Sequence, residues 1–66
     1  MEEMTKLAAL LDYIIKHNEE HAEEIREYAA KAKALGNEAA QVDIEKGVVL
    51  LEESNAMLRK ARETMK

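Results

Sequence analysis

Apolar residues recur through the first half of the chain in a 3,4 rhythm without a slip: Met4, Leu7, Leu11, Ile14, Asn18, His21, Ile25, Tyr28, Ala32 and Leu35. That spacing keeps one face of an α-helix turned toward a neighbour. With Met4 at heptad position a, Leu11, Asn18, Ile25 and Ala32 are also a, and Leu7, Ile14, His21, Tyr28 and Leu35 are d. Ala8, Ile15, Ala22 and Ala29 fill the e column and widen the stripe beyond a two-stranded seam, which predicts contact with more than one helix. In the second half Ile44, Leu51, Leu58 and Met65 stand at a, and Ala40, Gly47, Ser54 and Ala61 at d. That column of small residues predicts close approach of two helix backbones; the alternative at Gly47 is a kink. Leu50 and Met57 form a further apolar column beside the seam.

Between the two patterns lies Leu35-Gly36-Asn37-Glu38. Glycine suits the left-handed position that ends a helix, with Lys31 and Lys33 in the turn before it, and asparagine can cap the next helix. The pattern therefore predicts one all-α domain over residues 1–66: a helix over about 2–35, a turn at 36–37 and a helix over about 38–65. A short turn makes the two helices antiparallel. Each would be about 45 Å long.

Composition agrees and narrows the class. Eleven alanines, twelve glutamates and seven leucines, with no proline, favour helix throughout. The absence of cysteine excludes a disulfide framework and thiolate chemistry. The net charge of −4 argues against nucleic acid or an anionic membrane surface as partner. No apolar run reaches the roughly 18 residues of a membrane span, and the acidic start does not read as a secretory signal, so a cytoplasmic protein is expected. Arg59, Lys60, Arg62 and Lys66 would lie beside Glu2 and Glu3 in an antiparallel hairpin.

Two helices alone offer one seam. Ordering such a chain costs on the order of 100 kcal/mol in conformational entropy, which a single seam is poorly placed to offset. Two hairpins pairing into a four-helix bundle, as a homodimer, is the expected solution, and a further protein partner is the other use of a wide stripe.

One segment carries chemistry. His17 and His21 are four apart, so they share a helical face, with Glu24 one turn on. Two imidazoles at that spacing can chelate a divalent transition metal such as nickel, cobalt or zinc, with Glu24 or Glu20 as a third ligand. A turn at Gly36 pairs residues whose numbers sum to about 72, which predicts a polar layer of His17, Asn18, His21, Ser54 and Asn55 in the bundle core. Such a layer can instead set register without any ligand, as a single asparagine does in coiled coils. His17, Glu20 and His21 also match the H-x-x-E-H peptidase pattern, but that chemistry needs a distant third ligand and a large cleft, so no enzymatic activity and no catalytic residue is expected.

Through His17-Asn18-x-x-His21, the Gly36 turn and Leu50-Leu51-Glu52-Glu53-Ser54-Asn55, the chain resembles small uncharacterised prokaryotic helical-hairpin proteins over residues 7–61. Similar sequences sometimes accompany nickel- and cobalt-handling proteins. The resemblance implies a role for His17, Asn18, His21 and Asn55. Two functional expectations follow: a self-associating interaction or scaffold module, or a transition-metal carrier or sensor.

Overall fold

The computed structural model describes residues 2–65, so Lys66 lies outside the described residues. It is an antiparallel hairpin of α1 (Glu2–Ala34) and α2 (Glu38–Glu63), with principal extents of 53 × 14 × 11 Å. The turn forms as its residues dictate. Gly36 takes φ +82°, Gly36 N–H donates to Lys33 O at 3.0 Å, and Asn37 N–H reaches back to Ala32 O at 2.9 Å. This is the Schellman arrangement, which satisfies the last carbonyls of α1. Asn37 then caps α2 by accepting from Ala40 N at 3.0 Å. At the far end α2 stops at Glu63, short of the expected 65, where Thr64 folds its hydroxyl onto Ala61 O at 2.7 Å. No helix among the described residues is long and apolar enough to cross a membrane.

The seam differs from the a/d expectation. On α1 it is built from Ala8, Leu11, Ile15, Asn18, Ala22, Ile25, Ala29 and Ala32, the a and e columns. On α2 it runs through Ile44, Val48, Leu51, Asn55 and Leu58, again a and e. The d column of α1 turns outward instead: Leu7, Ile14, His21 and Tyr28 are all exposed. Alanine explains the rotation. Ala8, Ala22 and Ala29 present almost no side chain, so α2 settles against that column and Ala29 retains only 2% of its exposure. Close approach therefore occurs at the alanines of α1. It does not occur at Gly47, which is exposed, sits inside an unbroken α2, and has no atom within 4 Å of where a Cβ would stand.

Charged pairs line one flank of this seam. Arg62 Nε donates to Asp12 Oδ1 at 2.9 Å, Arg59 pairs with Glu19, and Arg26 pairs with Glu52. The expected partners of the α2 basic end, Glu2 and Glu3, lie further along α1. With Arg62 already level with Asp12, the first turns of α1 run past the end of the shorter α2. Each exposed pair is worth about 0–1 kcal/mol, so their main effect is on register. Asp12 and Glu19 face arginines while Arg26 faces a glutamate, and a slid hairpin would set like charges together.

The buried polar contact is between two asparagines. Asn55, 3% exposed, donates to Ile15 O at 3.1 Å and accepts from the Asn18 amide at 3.0 Å. Among the described residues no buried side-chain polar atom lacks a partner. Asn55→Ala should therefore cost about 1–3 kcal/mol, since it removes both bonds and strands the Asn18 amide. Replacing Asn18 and Asn55 together by leucine should recover that loss and exceed wild type. Urea melts followed by circular dichroism at one fixed protein concentration check both; equal stability for wild type and Asn55→Ala contradicts the register role.

Candidate functional site

The hairpin splits the expected polar layer in two. Asn18 and Asn55 close inside the seam, whereas His17 and His21 stand on the outward g and d columns of α1, clear of both asparagines. Ser54 is exposed on α2 and faces outward as well. The reason is the same rotation: once a and e face inward, d and g point away from the seam.

On that outer face the two histidines are organised by one another. Helical spacing brings His17 Nε2 and His21 Nε2 to 2.9 Å, with ring centroids 4.3 Å apart and planes at 87°. Tyr13, one turn earlier, stacks on His17 at 5.7 Å and 11°. Glu24 Oε1 lies 3.6 Å from His21 Nδ1, on the opposite side of that ring from the Nε2 contact. The four side chains of His17, Glu20, His21 and Glu24 line a shallow depression of about 250 Å³. With neutral rings, one imidazole N–H donates to the other's lone pair.

The same geometry has a second use. Imidazole nitrogens bind zinc-like ions at about 2.0–2.1 Å, so two nitrogens sharing one tetrahedral ion stand about 3.3–3.4 Å apart. His17 and His21 Nε2, at 2.9 Å, are about half an ångström closer than that and must part slightly to admit an ion. The glutamates do not complete a site within one hairpin. Among the described residues no three His, Asp or Glu side chains converge to hold an ion. Glu24 is placed to orient His21 through Nδ1 and not to ligate from the Nε2 side.

A larger groove of about 460 Å³ lies on the charged flank, beside Asn18 and Asn55. Four of its charged side chains are matched across the seam as Arg26–Glu52 and Arg59–Glu19, and Lys16, Glu20 and Glu23 line the rest of it. These pairs were not singled out in the sequence. Their signal was present as charges at the b column, Asp12, Glu19 and Arg26, seven apart and opposed in sign to Glu52 and Arg59.

Residues 7–65 match the family Domain of unknown function (DUF8180), and the chain belongs to that family. No curated protein and no solved structure gives a significant match.

Because His21 is half exposed, it contributes little to the hairpin itself. His21→Ala should change the unfolding free energy of metal-free protein by less than about 0.5 kcal/mol, in contrast to Asn55→Ala. Urea melts in the presence of chelator make the comparison; a loss above 1 kcal/mol would place the imidazole in the folding core after all.

Proposed function

We propose that this DUF8180 hairpin is a self-associating module, two copies of which pack through the outward d and g columns into a four-helix bundle. The observation that carries the reading is exposed area. The chain exposes 5328 Å², whereas a compact monomer of this length exposes about 4,200 Å². The excess is larger than the roughly 800 Å² per partner of a standard interface. Large apolar side chains contribute to it on the d and g flank, where Leu10 and Leu50 are each 65% exposed and Met57 62%. The opposite flank is taken by the arginine pairs.

The face is self-complementary about one level. The midpoint of α1 falls at Asn18, beside the histidines, and Ser54 stands at the same height on α2, next to Asn55. A two-fold axis through that level, perpendicular to the helices, sets α1 against α1 and α2 against α2 of the second copy, both antiparallel. Leu50 then opposes Met57 of the second copy, Leu10 opposes Tyr28, and Ser54 opposes Ser54. A two-fold axis along the bundle would set α1 against α2 of the second copy, with Leu10 level with Ala61 and His21 level with Leu50 and Ser54. The perpendicular axis groups Leu50 with Met57, Leu10 with Tyr28 and the histidines with one another, while Leu7 and Ile14 meet Lys31 and Glu24. Gly47 and Ala61, both exposed, fall opposite each other on the α2 pair and admit close packing.

Sedimentation equilibrium of chelator-treated protein at micromolar concentration should give a two-chain mass, and Leu50→Glu should return it to one chain by burying a charge at the interface. Ser54→Cys, in a chain with no native cysteine, should form an intermolecular disulfide under mild oxidation, since the axis brings the two Cα atoms within disulfide reach. A folded monomer at all concentrations sinks the assembly. A dimer that does not crosslink through position 54 sinks the perpendicular axis.

A further inference from the structure

We propose that His17 and His21 are half of a divalent transition-metal site, completed by the same pair from a second copy so that one ion on the two-fold axis joins two hairpins. The inference rests on the two-fold assembly above. Three observations carry it.

The first is the nitrogen geometry. The two Nε2 atoms already lie 2.9 Å apart, so a separation of about half an ångström brings them to the roughly 3.3–3.4 Å bite of two imidazoles on one tetrahedral ion, and both rings are exposed and reachable. The second is the support around them. Glu24 faces His21 Nδ1 at 3.6 Å, so a slight closure lets Nδ1–H donate to the carboxylate and leaves the Nε2 lone pair for the ion. Tyr13 stacked on His17 fixes the other ring. The third is incompleteness at a defined place. One hairpin gathers two nitrogens and no third donor. The pair sits at the midpoint of α1, where a perpendicular axis sets His17 beside His21 of the second copy. Four imidazoles around one ion satisfy a tetrahedral divalent cation, and zinc, cobalt and nickel all accept imidazole nitrogen. Glu20 and Glu24 on the rim offset the positive charge that a neutral N4 set leaves on the ion.

Nothing is oxidised or reduced. Binding displaces the ring-to-ring N–H···N hydrogen bond, with the proton held on Nδ1 of each ring.

The test titrates Zn2+ into the full chain by calorimetry, in parallel with sedimentation equilibrium with and without zinc. One Zn2+ per two chains is expected, with stoichiometric binding lost in His17→Ala and in His21→Ala while both stay helical. Glu24→Gln, which keeps the ligands and weakens their orientation, should lower affinity by about tenfold to a hundredfold. Co2+ in place of Zn2+ should show the visible absorption of a tetrahedral imidazole site. A dimer in chelator that takes up no zinc overturns the metal site and leaves the assembly standing. One zinc per single chain, with no change in mass, overturns the shared site. A monomer in chelator that becomes a dimer with zinc overturns the metal-independent assembly and supports the shared site, with the ion as the driver of pairing.

Discussion

The contact on which the rest of the molecule depends is the one between the alanine column of α1 and the apolar ridge of α2. Ala8, Ala22 and Ala29 let Val48 and its neighbours close in until Val48 is 3% exposed, and this fixes the rotation of both helices about their axes. Everything else follows from that rotation. The a and e columns become the interior, the b column becomes a flank of opposed charges, and the d and g columns become an open face. Small seam residues bring backbones together but bury little apolar area per residue. The described residues accordingly hold no large side chain that is fully buried. A hairpin built on alanine thus gains a close, well-registered seam and leaves its larger side chains unused, which is why Leu10, Leu50 and Met57 remain in water.

The two polar pairs near the middle of the chain illustrate how burial divides roles among similar residues. Asn18 and Asn55 meet inside the seam, where an unsatisfied amide is costly, and each hydrogen bond ties α1 to α2 at one height. Their contribution is to alignment more than to net stability, because a leucine pair of similar volume would avoid desolvation altogether. His17 and His21 lie beside Asn18 on its outward side in the helical net, and they bond to one another. Nothing in the hairpin's own stability accounts for their pairing on that outward face. An exposed, paired and pre-oriented imidazole couple between Ile14 and Tyr28 is better explained by what that face meets.

Much of the fold was legible in the residues because its signals are local. Gly36 could adopt positive φ, Asn37 could cap, and the absence of proline on either side left helix as the consistent choice. The seam was less legible because a stripe of three columns, a, d and e, is compatible with two rotations about 40° to 60° apart. Hydropathy ranks Leu7, Ile14 and Tyr28 above Ala8, Ala22 and Ala29, and so favours the d column. Steric closeness ranks them the other way, and closeness decided the intrachain contact. The stripe is wider than one seam uses, and the structure leaves its d column exposed. The small column of Ala40, Gly47, Ser54 and Ala61 predicted close approach of two backbones, and α1 does not make that approach at Gly47.

The candidate site divides along the same line. The i, i+4 spacing of His17 and His21 was enough to place two imidazoles on one face, since that depends only on helical geometry. Which way the face points depends on α2, and there spacing alone had no access. The consequence is chemical. Histidines within the seam would have been limited to the asparagines and serine around them, and a ligand would have had to displace that packing. On the open flank they retain freedom to meet a second pair, and Glu24 can act on Nδ1 without competing for Nε2. Rotation of one helix by less than a quarter turn therefore separates a structural asparagine lock from an accessible imidazole pair. The same alanines that draw the helices together are what turn the histidines outward.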